Sequence, residues 1–154
     1  METRGKNLSF TADKIEAFTD ADYIFISVNT PTKMSGHGED KAHDMMYVES
    51  AIRDIGNFFN EVELKKTVTV VEKSTVMAGT SVHLYKVLNS TQAKFKSNRD
   101  NFVILSNPEF MAEGTSVHDI MKPDRVIIGG DYATKPKAKL SMEVLRDSYA
   151  CWID

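Results

Sequence analysis

The sequence predicts an α/β fold, a parallel sheet flanked by helices. Apolar, β-branched and aromatic runs recur near residues 23–28, 67–72, 102–106 and 125–129. Segments with apolar residues at helical spacing alternate with these runs, the signature of strand–helix–strand units. Each of the first three runs also closes on a short polar cassette. Open α/β sheets build their sites at the carboxyl ends of parallel strands, so the cassettes predict a site rim there.

The elements follow in order. Thr11-Ala12-Asp13-Lys14 starts a short helix with Ile15 and Phe18 facing inward. The first strand, about Tyr23 to Val28, is nearly continuously apolar, which predicts burial on both faces. Residues 33–42 read as an irregular loop. Asp44 can cap a long helix to about Phe59, with Met45, Val48, Ile52, Ile55 and Phe59 on one face. A second strand covers about Thr67 to Glu72, and a helix from about Met77 to Leu88 turns Val82, Tyr85 and Leu88 inward. Residues 89–101 are polar and read as a surface loop. The third strand is Phe102 to Ser106. A helical turn after Gly114 is stopped by Pro123, and Arg125 to Gly129 forms a fourth strand ending in a glycine turn. Gly129 and Gly130 are expected to supply positive φ. A last helix runs from about Lys135 to Tyr149.

Composition narrows the function classes. At 154 residues and 42% hydrophobic content the chain can hold one core. A net charge of −3, with both signs mixed along the chain, gives no basic field for nucleic acid. No apolar run approaches the roughly 20 residues that span a bilayer. The N-terminus lacks an apolar signal core, and a single cysteine, Cys151, excludes an internal disulfide framework. A reducing, cytoplasmic setting is expected. The histidines His37, His43, His83 and His118 show no metal-ligand spacing and read as surface or loop residues, so no metal site is expected. Cys151 reads as a buried structural thiol.

The candidate chemistry lies in the cassettes. Asn29, Thr30 and Thr32 follow the first strand, with Pro31 stiffening the turn; they suit contact with a ribose or pyrophosphate, or a plain polar turn. Ser74 and Thr75 stand between a strand and a helix, where a hydroxyl caps the helix or helps hold a ligand at its N-terminus. Glu72 and Lys73, just before them, pair nearby or face solvent. Pro108 can open a helical turn that places Glu109 and Glu113 on one face. Two carboxylates held close push one pKa upward and prepare a general acid or base; two solvated loop carboxylates are the plainer alternative. No Gly-x-Gly-x-x-Gly loop, Walker loop or Ser-His-Asp arrangement appears.

Taken together, four blocks resemble the UDP-glucose 6-dehydrogenase family. They are Phe25-Ile26-Ser27-Val28-Asn29-Thr30-Pro31-Thr32-Lys33, Val71-Glu72-Lys73-Ser74-Thr75-Val76, Leu105 to Thr115 with its Asn107-Pro108-Glu109-Phe110-Met111-Ala112-Glu113-Gly114 core, and Pro123 to Gly130. The resemblance implies a partial Rossmann-like sheet: one incomplete NAD-binding domain over residues 1–154, without the Gly-rich N-terminal half. It implies oxidation of UDP-glucose to UDP-glucuronate with two NAD⁺, through a thioester on an active-site cysteine. Val28, Asn29, Thr30, Pro31, Thr32, Ser74, Thr75, Val76 and Glu113 would touch the cofactor. Glu109 would serve as acid/base, with Thr75 positioning the water or reacting group. Glu109, Phe110, Met111, Ala112 and Glu113 would line the sugar pocket. The family's nucleophilic cysteine lies beyond the matched region, and Cys151 aligns with a non-catalytic helix position. Met77 stands where the family usually has proline. The chain alone is therefore expected to bind NAD weakly and to be inactive. A non-catalytic module that associates with a full-length homologue is the alternative.

Overall fold

The computed structural model describes residues 7–34, 43–91, 94–131, 133 and 135–150. The expectations for residues 35–42, His37 and Cys151 lie outside these. The element order is α1 (Lys14–Phe18), β1 (Tyr23–Ile26), α2 (Met46–Glu61), β2 (Val68–Glu72), α3 (Thr80–Thr91), a 3₁₀ helix (Lys96–Asp100), β3 (Phe102–Ser106), α4 (Ser116–Met121) and α5 (Pro136–Ala150). The strands pair in parallel in the order β1-β2-β3, with Ile26 opposite Glu72 and Glu72 opposite Ser106. The expected α/β sheet is thus present. No helix among the described residues is long and apolar enough to cross a membrane.

Helices cover both faces. On one, α2 and α3 pack Val48, Ile52, Ile55, Phe59, Leu84, Val87 and Leu88 against Ile24, Ile26, Val68, Val70, Phe102 and Ile104. On the other, α5 sets Leu145 against Val71 and Leu105. The central strand is buried along its whole length, as a two-faced parallel strand should be. A buried hydrogen bond from Thr69 Oγ1 to Ser141 Oγ (2.8 Å) ties the strand to α5. Asp13 caps α1, accepting from the amides of Ile15 and Glu16; the N-cap position of α2 is Met45, without a side-chain bond, and Asp44 just before it accepts from the Met46 amide.

Several expectations need correction. β1 is an edge strand covered fully on one face only; Phe25 is 49% exposed. Ile15 is exposed, because five-residue α1 reaches the core only through Phe18, which packs edge-on against Phe58. Helix α3 starts at Thr80, after a turn through Gly79 at φ 89°, and this leaves Val82 exposed while Leu84, Val87 and Leu88 turn inward. Residues 89–101 are not a plain loop. Thr91 ends α3, and a 3₁₀ turn buries Asn98, whose amide donates to the carbonyls of Phe59 (2.5 Å) and Val62 (2.7 Å). Residues 125–129 do not extend the parallel ladder. They meet β3 through one antiparallel bridge, Ser106 to Gly129. Gly129 and Gly130 do not have positive φ. A Cβ on Gly130 would lie 2.6 Å from buried Leu105 Cδ2, so close packing is what that position requires.

Candidate functional site

The three cassettes converge at the carboxyl ends of β1, β2 and β3. Between them lies a cavity of about 400 Å³, lined among others by Asn29, Lys73, Ser74, Glu109, Phe110 and Tyr149. Its size falls within the range of small-molecule sites.

Backbone bonds hold this rim together. The amides of Lys73 and Ser74 donate to Ile26 O. Ser74 Oγ accepts from the Val28 amide (2.9 Å) and donates to Val28 O (2.7 Å). Ser74 is therefore a buried clamp between two strand exits and not a helix cap, because α3 begins six residues later. Asn107 does the same for the next exit. Its backbone amide donates to Glu72 O (2.9 Å), and its side-chain amide donates to Ile127 O (2.8 Å). The Tyr149 hydroxyl donates to Asn107 Oδ1 (2.6 Å), which brings the end of α5 to the cavity.

The expected helical turn from Pro108 does not form: residues 107–112 are irregular, and no turn stacks Glu109 and Glu113. Instead Asp119 accepts from the Ala112 amide (2.9 Å) and the Thr115 hydroxyl (2.8 Å), closing a loop in which Gly114 takes φ 87°. The Ala112 and Thr115 bonds hold the Asp119 carboxyl below its ordinary value. Glu109 lines the cavity, whereas Glu113 is exposed and off it.

Of the expected site residues, Val28, Asn29, Ser74, Glu109, Phe110 and Met111 line the cavity. Thr30, Pro31, Thr32, Thr75, Ala112 and Glu113 do not; Val76 lines a separate space of about 850 Å³ beside α3. Four further residues belong to the site's surroundings. The Arg125 guanidinium lies 4.6 Å from the Phe110 ring centre, and Lys73 Nζ 5.9 Å from that of Tyr149. Burial raises the Tyr149 phenol, opposed by its bond to Asn107. Burial lowers Lys73, opposed by the negative charges of Glu109 and Glu72. Contrary to expectation, Glu72 does not face solvent: it is fully buried. Strand periodicity carries the signal for that burial, since Glu72 shares a face with Val68 and Val70.

The described residues hold no group of three or more His, Cys, Asp or Glu that suits a metal ion. His43, His83 and His118 are exposed, and His83 pairs with Glu49 at 2.9 Å.

UDP-glucose 6-dehydrogenase 5 of Oryza sativa subsp. japonica is 45% identical over 152 residues, covering 99% of this chain and 29% of that protein. UDP-glucose 6-dehydrogenase 1 of Arabidopsis thaliana is 45% identical over 153 residues, with the same coverage. The chain thus spans under a third of the length of these relatives. Among solved structures, a UDP-glucose dehydrogenase from the archaeon Pyrobaculum islandicum superposes with a TM-score of 0.72 at 32% identity, covering 94% of this chain and 29% of that one. A GDP-mannose dehydrogenase from Pseudomonas aeruginosa, in a ternary complex, gives 0.69 at 30% identity over 89% of this chain and 29% of that one. Residues 1–153 match the NAD binding domain of the UDP-glucose/GDP-mannose dehydrogenase family, and the chain belongs to that family.

Proposed function

We propose that this chain supplies part of the NAD and sugar-nucleotide site of a UDP-glucose 6-dehydrogenase. The observation that carries the reading is the meeting of Asn29, Lys73 and Glu109 around one cavity at three neighbouring parallel strand ends. The donor set suits the nicotinamide–ribose end of the cofactor: an amide, an ammonium and a carboxylate beside apolar Val28, Phe110 and Met111. Val28, Asn29, Thr30, Pro31, Thr32, Ser74, Thr75, Val76 and Glu113 border the cofactor in this reading. Bound NAD would supply the hydride acceptor.

Glu109 acts as the acid/base at the substrate. It is half-buried at the cavity wall, where a carboxylate reaches a ligand and is poorly hydrated. Phe110 and Met111 continue the wall toward the sugar; the reading extends the sugar site beyond this lining to Ala112 and Glu113, and has Thr75 orient the water or reacting group. The sequence has no Gly-x-Gly-x-x-Gly loop and its one cysteine is Cys151, so by itself the chain binds NAD weakly and does not turn over UDP-glucose.

Calorimetry with NAD⁺ on the purified chain, with Thr75→Ala and Glu113→Ala, tests this. Measurable binding that weakens in both variants supports the reading. An absence of heat from the folded chain refutes cofactor binding by this rim alone. A second reading, association with a full-length homologue, is favoured by β1. Among the described residues it has a hydrogen-bonded neighbour on one side only and presents Phe25 at 49% exposure, a template for strand pairing. Co-purification with a complete dehydrogenase would separate the two.

A further inference from the structure

Asn107 joins the exits of β2 and β3, and it is 1% exposed. Its backbone amide donates to Glu72 O (2.9 Å). Lys73 follows that carbonyl directly. Glu109 follows Asn107 across Pro108, whose ring fixes its own φ and restricts the residue before it. That one backbone bond therefore sets the segment carrying Glu109 beside the segment carrying Lys73.

The Asn107 side chain is held from two sides. Its Nδ2 donates to Ile127 O (2.8 Å), and its Oδ1 lies 2.6 Å from the Tyr149 hydroxyl. A backbone carbonyl can only accept, so Ile127 fixes which end of the amide faces which neighbour. The oxygen faces Tyr149, and the hydroxyl is the donor. Among the described residues no other side chain donates to that oxygen. A buried amide oxygen without its donor is costly, so the bond fastens Asn107 to α5. Helix α5 is a firm support. Ser141 Oγ accepts from Thr69 Oγ1 (2.8 Å), Ser141 O accepts from the Tyr23 hydroxyl (3.0 Å), and Leu145 packs on Val71 and Leu105. The Tyr149 ring packs against the same cluster, lines the cavity, and has Lys73 Nζ 5.9 Å from its centre.

We propose that Tyr149 is a positioning residue: its hydroxyl holds Asn107, and through Asn107 it sets Glu109 against Lys73 at the cavity. The consequence for ligand binding rests on the reading of the cavity given above. The tie itself is a property of the folded chain, and its first test needs no cofactor.

That test is hydrogen exchange of the ¹⁵N-labelled chain followed by NMR, on wild type, Tyr149→Phe and Ser148→Ala. Phenylalanine keeps the ring and removes only the hydroxyl. Ser148→Ala removes a bond to Val144 O (2.9 Å) in the same turn of α5 and leaves Tyr149 in place. In Tyr149→Phe, exchange at the Asn107 amide should accelerate at least about tenfold relative to the Val70 and Ile104 amides, and the Lys73 and Glu109 signals should move. Ser148→Ala should match wild type. An unchanged Asn107 amide overturns the proposal, as does equal acceleration at all three amides, which general loosening produces, or the same response in Ser148→Ala. Should Tyr149→Phe fail to fold, the wild-type chain decides. A slowly exchanging Tyr149 hydroxyl proton with a cross-peak to Asn107 is expected, and a hydroxyl in fast exchange with water overturns the tie. Calorimetry with NAD⁺ then separates the tie from the cofactor reading. Weaker binding by Tyr149→Phe than by wild type supports both, and equal binding overturns the positioning role. Absent binding by wild type, alongside the expected Asn107 response, refutes the cofactor reading and leaves the tie standing.

Discussion

Glu72→Gln should change how the stability of this chain depends on pH. The Glu72 carboxyl rises from an ordinary 4.5 to about 7 in the folded chain. Between those values the native state binds more protons than the unfolded state, so unfolding free energy falls as pH rises. The stabilising contribution of the protonated group is fully present below pH 4.5 and is lost as pH passes 7. One pKa unit corresponds to about 1.4 kcal/mol, so the interval from 4.5 to about 7 represents about 3.5 kcal/mol. This is a ceiling, because Glu72 ends its strand beside a solvent-reaching rim and Lys73 is close enough to offset part of the charge. Glutamine keeps the shape and cannot ionise. Urea unfolding from pH 4 to 8.5 should show wild type losing stability across that window, while Glu72→Gln loses less. The difference between the two profiles should approach the ceiling above pH 7.5. Parallel profiles would refute the burial assigned to Glu72.

Asn98→Ala removes a buried side chain whose amide nitrogen donates to Phe59 O and Val62 O and whose oxygen accepts from the Leu64 amide. It should cost about 2–4 kcal/mol in urea unfolding, since it orphans three backbone groups where α2 ends. Gly56→Ala places a Cβ 3.0 Å from Thr91 Cβ and 3.2 Å from Leu88 Cδ1. Overpacking there should destabilise by about 1–3 kcal/mol despite alanine's better helix propensity, and Thr91→Ala should recover part of the loss. Ser74→Ala breaks the clamp on Val28. Hydrogen exchange at the Val28 amide should then accelerate by at least about tenfold, the kinetic equivalent of roughly 1.4 kcal/mol for a lost buried bond.

Much of the fold was legible because period and punctuation agree. β3 runs Phe102 to Ser106 as read, α2 buries the face that was read from its spacing, and α5 keeps its bounds to within a residue. Failures occur where a neighbour decides. Apolar Tyr23–Ile26 could not reveal that α5 leaves Phe25 uncovered. Pro108 favours a helical start, yet Asp119, eleven residues on, takes the Ala112 amide and Thr115 hydroxyl and holds a loop. Gly129 and Gly130 suggested a positive-φ turn, whereas the constraint at Gly130 is Leu105, distant in sequence. At the cavity, the lining positions of Asn29, Ser74 and Glu109 follow from their place after strands. Tyr149 was missed because its role depends on where α5 lands.

The rim is built by groups that have little freedom to do anything else. The hydroxyl of Ser74 is committed to the Val28 backbone, and the side chain of Asn107 to Ile127 O and Tyr149. Both are fully or almost fully buried, so each substitutes for water at a point where a strand ends and its backbone loses its ladder partners. Asn29, Lys73 and Glu109 instead line the cavity. This division explains why polar residues crowd the three cassettes. Some fix the spacing between neighbouring strand exits, and others line the cavity that this spacing leaves. Glu72 belongs to neither set. Its carboxyl lies off the cavity wall, against the Ser74 backbone, and its burial there penalises the charged form. Its burial at the end of β2 is what the pH profile of Glu72→Gln measures.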